Sequence, residues 1–142
     1  MEFINFSETL KDLIFDKGQD AAACAREMGI EPSTLTRFMR EERAPLTDTL
    51  IKIADYFKVS CDFLLGLAPE SPTTVFNECP PFAERIKYLS EGCKVAEFCR
   101  KVNITTAQYY KYLHGVQPTV YSICKIAKSL DRSVDFVLGR EK

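Results

Sequence analysis

Arg37, Arg40 and Arg43 follow one another at three-residue steps, which on an α-helix sets three guanidinium groups along one face. Such a row either stays solvated or pairs with carboxylate or phosphate, since each group offers a planar fork of N–H donors. Tyr109, Tyr110 and Tyr112 form a second cluster able to stack or to reach phosphate. Acid–base catalysis is a poor match, because the chain has one histidine, His114, and no G-x-S-x-G, P-loop, H-E-x-x-H or dinucleotide fingerprint. No second metal-type residue stands near His114 in the chain. An enzyme is not expected, nor are a bound metal or a cofactor.

Six cysteines (Cys24, Cys61, Cys79, Cys93, Cys99 and Cys124) raise the question of disulfides or zinc. None is spaced C-x-x-C, and Cys24, Cys99 and Cys124 fall at apolar-periodic positions. They read as reduced thiols acting as small hydrophobes. The chain of 142 residues is 46% hydrophobic and 27% charged, a normal soluble balance. No apolar run approaches the roughly 20 residues that a bilayer crossing needs. MEFINFSETLKD carries acid where a secretory signal carries base, so a cytoplasmic location is expected.

Net charge is −1, yet the halves differ: residues 1–70 hold 8 Lys/Arg against 13 Asp/Glu, and residues 71–142 hold 11 against 7. The first half is acidic and the second basic. Charge therefore separates what the sequence pattern joins. SCDFLLG (60–66) and SVDFVLG (133–139) are nearly the same heptapeptide, 73 residues apart. Ile53-Ala54 falls on Ile126-Ala127, and Pro45 on Pro118; with one residue fewer in the second copy, Ile30 falls on Ile104, Leu35 on Tyr109 and Phe38 on Tyr112. Phe6, Glu8, Leu10 and Leu13 then align with Phe82, Glu84, Ile86 and Leu89. A tandem duplication is expected, covering 6–66 and 82–139.

Each copy has a helical apolar period and no alternating strand. Phe6, Leu10, Leu13 and Ile14 make one stripe, and Leu50, Ile53, Ala54 and Phe57 another, the latter matched by Ile123, Ile126, Ala127 and Leu130. Asp20 is placed to cap a second helix that Gly29 ends, and Pro32 suits the first position of a third. Thr105 and Gln108 have capping-box spacing. Ser60 and Ser133 are expected N-caps, with Asp62 and Asp135 complementing the helix dipole in the first turn and Gly66 and Gly139 as stops. Val59 and Leu64 are spaced as a hydrophobic staple. Tyr109 and Tyr112, aligned with Leu35 and Phe38, fall at core positions, so only Tyr110 remains a surface candidate. Residues 68–81, with four prolines, read as a linker between a domain at 1–67 and a domain at 82–142. The fold class expected is all-α, with five short helices per copy.

The run AAACAREMGIEPSTLTRFMREERAPLTDTLIKIADYFKVSCDFLLGL resembles the DNA-binding domain of the phage repressor and Cro family, the Xre-type helix-turn-helix proteins. It has a small residue before the turn, a glycine, an aliphatic residue, a third helix, a charged loop ending in proline, and the SxDFLLG end. The second copy keeps the order, with Asn103 at the turn position. The resemblance implies two lambda-repressor-like domains in tandem and a transcriptional regulator that binds double-stranded DNA through third helices in the major groove. It places Ser33, Thr34, Thr36 and Arg37 toward base edges in the first copy, with Arg40 and Arg43 near the backbone. In the second copy it places Thr106, Ala107, Gln108, Tyr110 and Lys111 toward the groove, followed by His114 and Gln117, with Lys94, Arg100, Lys101 and Lys125 available to phosphates. Ala21 and Val95 stand where the family often has a phosphate-binding glutamine. The alternative is a protein-interaction module on the same scaffold, with a partner or a second copy of the chain docking on the acidic half.

Overall fold

A computed structural model describes residues 6–72 and 75–141 of the chain. Residues 1–5 of the segment read for export signals, Thr73 and Thr74 of the stretch read as a linker, and Lys142 lie outside the described residues. Every regular element among the described residues is helical. The order is α1 (Phe6–Lys17), α2 (Ala21–Met28), α3 (Pro32–Met39), α4 (Thr47–Phe57), α5 (Cys61–Leu64), α6 (Phe82–Leu89), α7 (Val95–Val102), α8 (Thr106–Leu113), α9 (Val120–Leu130) and α10 (Val134–Leu138). The chain divides into two compact units, Met1–Val75 with α1 to α5 and Phe76–Lys142 with α6 to α10. No helix is long and apolar enough to cross a membrane among the described residues.

Helix boundaries follow from local chemistry. The Asp20 carboxylate accepts from the Ala23 N–H at 2.7 Å, which satisfies one orphan donor at the start of α2. Ser60 and Ser133 cap α5 and α10 in the same way, and Pro32 opens α3. α5 is shorter than its sequence implies: Leu65 is its C-cap, and Gly66 follows with φ 78°. Within the first unit the left-handed positions are Gly18, Gly29, Glu41, Lys58 and Gly66; within the second they are Gly92, Asn103, Gly115, Asp131 and Gly139. The successive pairs stand 74, 74, 74, 73 and 73 residues apart, so the two units turn at corresponding places.

The cores correspond as well. Leu10, Leu35, Leu50, Ile53 and Leu64 are fully buried in the first unit, and Ile86, Ile123, Ile126 and Val137 in the second. Each such side chain contributes about 1.5–3 kcal/mol by leaving water. Phe6 meets Phe38 edge-on at 6.0 Å, and Phe82 meets Tyr112 edge-on at 5.5 Å, so the first and third helices of each unit are joined by one aromatic pair. Tyr109 is buried, with its hydroxyl 2.8 Å from Ser90 Oγ. Leu13, Phe57, Leu89 and Leu130, read as inward, are half-buried. Cys24, Cys61, Cys99 and Cys124 are buried, and burial pushes the Cys99 thiol up from its ordinary value.

Asp135 differs from its expected role at a helix start. It is 1% exposed and receives Arg140 Nη1 at 2.5 Å, making a buried ion pair rather than a solvated dipole complement. The Phe76 ring lies 4.1 Å from the Arg140 guanidinium carbon, and the Asn77 N–H donates to the Arg140 carbonyl at 2.7 Å. On the other side of the proline-rich stretch, Ser71 Oγ accepts from the Ser60 N–H at 2.8 Å.

Candidate nucleic-acid interface

Each unit contains two eight-residue helices joined by a three-residue turn. In the first, α2 ends on Gly29 at φ 77° and α3 begins at Pro32; in the second, α7 ends on Asn103 at φ 59° and α8 begins at Thr106. Asparagine tolerates the left-handed turn better than most side chains, so the second unit keeps the geometry without glycine. Ile30 and Ile104 are buried just after these caps.

Ser33 and Arg37 of α3 are exposed, while Thr34 and Thr36 are half-buried. The three arginines do not share one helical face: α3 ends at Met39, Arg40 is its C-cap, the chain turns left-handed at Glu41 with φ 61°, and exposed Arg43 lies in the loop beyond. Thr36 Oγ1 donates to the Pro32 carbonyl at 3.0 Å, so its hydroxyl hydrogen already serves its own helix. In the second unit Thr106, Ala107, Tyr110 and Lys111 of α8 are exposed, as are His114 and Gln117 beyond its end, and the Tyr110 ring meets the buried Tyr109 ring edge-on at 5.4 Å. Gln108 is half-buried and completes the capping box: its Oε1 accepts from the Thr105 N–H at 3.0 Å, and Thr105 Oγ1 accepts from the Gln108 N–H at 3.0 Å. A bidentate pair with adenine needs both ends of the carboxamide. Gln108 would bring to one an oxygen that already serves its cap.

The second helices differ most. α2 starts with the Asp20 carboxylate on its N-terminal donors, whereas α7 starts on Lys94 with no side-chain cap. The positive end of a helix dipole attracts anions. In the first unit that end already holds one. Lys94, Lys101 and Lys111 are exposed, and their side-chain amines make no hydrogen bond or ion pair with any described residue. Lys125 is half-buried beside the Tyr121 ring at 5.3 Å. Between positions 94 and 117 there are Lys94, Arg100, Lys101 and Lys111 against Glu97 alone. Across positions 20–43, Arg26, Arg37, Arg40 and Arg43 face Asp20, Glu27, Glu31, Glu41 and Glu42. One surface is basic and its counterpart is not.

A polar cluster that the sequence does not announce lies on the first unit. Tyr56 of α4 donates to Glu27 Oε1 at 2.5 Å, and Gln19 Nε2 donates to Glu27 Oε2 at 3.3 Å. These bonds hold the Glu27 carboxyl below its ordinary value, the Tyr56 bond most strongly, and the same bond raises the Tyr56 phenol. Lys17 sits 4.7 Å from the centre of the Tyr56 ring. The partners are 29 and 8 residues apart, a separation at which no local spacing rule operates.

A family model described as Helix-turn-helix matches residues 22–64, which run from α2 to the end of α5. The chain is also similar to the HTH-type transcriptional regulator ImmR of Bacillus subtilis (strain 168), at 32% identity over 78 residues. That similarity covers 53% of this chain and 61% of the relative, less than two thirds of its length. No solved structure matches.

Proposed function

We propose that the chain is a non-enzymatic DNA-binding transcriptional regulator, built as a tandem duplication of two lambda-repressor-like five-helix domains, and that the basic domain at 82–142 makes the main contact with the duplex. In this reading α8 enters the major groove and α7 lies against the backbone, with Lys94, Arg100 and Lys101 toward phosphates. Thr106, Tyr110 and Lys111 meet base edges or phosphate, and Gln108 reads a base with an oxygen that already serves its cap. Ser33, Thr34, Thr36, Arg37, Arg40 and Arg43 are the corresponding contacts of the first domain, weakened there by the neighbouring carboxylates. The similarity to a transcriptional regulator supports the class. The recurring left-handed positions support the duplication.

The observation that carries the assignment of the basic domain is the exchange at the second helix: Asp20 caps α2, and Lys94 stands uncapped at the start of α7. Phosphate neutralisation dominates affinity for duplex, so the unit that adds cations where its twin adds carboxylates gains most of that term. The acidic first domain favours a second role, in which it binds a protein partner or a second copy of the chain. Selection of bound oligonucleotides from random duplexes tests the proposal. Enrichment of one motif, lost in a Lys101→Glu, Lys111→Ala variant, is the expected result. A pool that stays random through repeated rounds contradicts it.

A further inference from the structure

Thr9 and Arg85 are each the fourth residue of the first helix of their unit, yet they leave very different surfaces behind them. Arg85 Nε donates to the Val137 carbonyl at 3.1 Å, and Arg85 Nη2 donates to the Phe136 carbonyl. Its guanidinium carbon lies 5.3 Å from the centre of the Phe136 ring and 4.7 Å from that of Tyr88. Its stem runs so close to Gly139 that a Cβ there would come within 2.9 Å of Arg85 Cδ. The arginine thus plugs the C-terminal end of α10, where carbonyls point outward and the helix dipole is negative.

Thr9 is too short to do the same at α5. Beside it the first unit has an open groove of about 370 Å³ lined by Thr9, Phe63, Gly66, Leu67, Ala68 and Pro69. Phe63 and Gly66 correspond to Phe136 and Gly139 in the repeated heptapeptide, so the groove keeps the ring and the glycine against which Arg85 packs. Glu8, which pairs with Lys11 at 3.4 Å, precedes Thr9, Asp12 follows it three residues on, Asp62 precedes Phe63 and Glu70 follows Pro69. An aromatic ring in the wall, within a unit of acidic balance, suits a guanidinium.

We propose that this groove is a docking site for an arginine side chain on a basic segment of a protein partner, which supplies in trans the plug that Arg85 supplies within the second unit. The first unit's excess of acid, 13 Asp/Glu against 8 Lys/Arg over residues 1–70, draws such a segment in. The proposal goes beyond the DNA-binding reading and stands on different residues. Measurement without DNA keeps the two separate.

The test is amide NMR of the full chain titrated with N-acetyl-argininamide. Saturable shifts are expected at Thr9, Phe63, Gly66, Leu67 and Ala68. Thr9→Arg, which fills the groove as Arg85 does, and Thr9→Leu, which fills it without charge, should each reduce those shifts at least tenfold while the remaining spectrum stays that of the folded chain. No shifts, shifts that both variants leave intact, or an equal response to N-acetyl-lysinamide would overturn the proposal. Concentration-dependent movement of the same amides without the probe would also overturn it, since a second copy of the chain would then be the occupant.

Discussion

Glu27 and Lys101 are each the seventh residue of an eight-residue second helix, and they carry opposite charge: Glu27 is held by the Tyr56 phenol at 2.5 Å, while Lys101 is exposed with no partner among the described residues. At this position the second helix therefore carries a held carboxylate in the first unit and an exposed ammonium in the second. Lys101→Glu copies the first unit's charge into the second. Fluorescence anisotropy with the selected duplex should show weaker binding and a shallower dependence of log affinity on log salt, by roughly 0.9 for each phosphate no longer neutralised. Lys111→Ala should act in the same direction.

The Glu27–Tyr56 bond gives stability a defined response to acid. The carboxyl's folded value lies below its ordinary 4.5, so the bond contributes above that pH and its contribution fades as pH falls through the depressed value. Tyr56→Phe should lower the melting temperature of the first unit at pH 7. The gap between variant and parent should close on acidification below about pH 4. A gap that is constant from pH 7 to pH 3 would contradict this.

The buried Asp135–Arg140 pair is costly to break. Both side chains are 1% exposed or less, so removing one takes the opposite charge away from the other in a site closed to water. Arg140→Leu should destabilise the second unit by about 3–5 kcal/mol in urea unfolding, and Asp135→Leu combined with Arg140→Leu by less. An additive double variant would show that the two groups do not act as a pair.

Backbone strain separates two positions. Gly139 has φ 89° and no room, since a Cβ would stand 2.8 Å from Pro80 Cδ, so Gly139→Ala should cost well over 1 kcal/mol. Glu41 holds φ 61° with a side chain, where the second unit has Gly115 at 98°. Glu41→Gly should stabilise by about 1 kcal/mol. Thermal unfolding of the two variants checks both signs.

Much of the fold could be read in advance because its punctuation is local. The caps at Asp20, Ser60, Thr105 and Ser133 rest on a side chain reaching a backbone N–H three residues on, and that spacing is visible in any sequence. Core positions such as Tyr109 and Tyr112 could be read because the expected repeat aligned them with Leu35 and Phe38, and all four are buried. The sequence did not disclose Tyr56 reaching Glu27, Arg85 reaching Phe136 or Arg140 reaching Asp135 with Phe76 above it. Most of these contacts join residues far apart in the chain. The first-turn position of Asp135 has a local explanation that burial then overrides. Of the candidate contacts with DNA, Arg37, Lys94, Lys101, Tyr110 and Lys111 lie on the surface; Gln108 and Thr36 are already engaged in bonds of their own helices.

The central claim, that duplex is held by the basic unit's second and third helices, is tested most directly by salt titration of three proteins on one selected duplex. These are the full chain, a Lys94→Ala, Lys101→Ala, Lys111→Ala variant, and an Arg37→Ala, Arg40→Ala, Arg43→Ala variant. The account predicts that the lysine variant loses roughly 2 to 3 from the slope of log affinity against log salt, and that the arginine variant loses much less. Equal slopes for the full chain and the lysine variant, or a larger loss in the arginine variant, would contradict it.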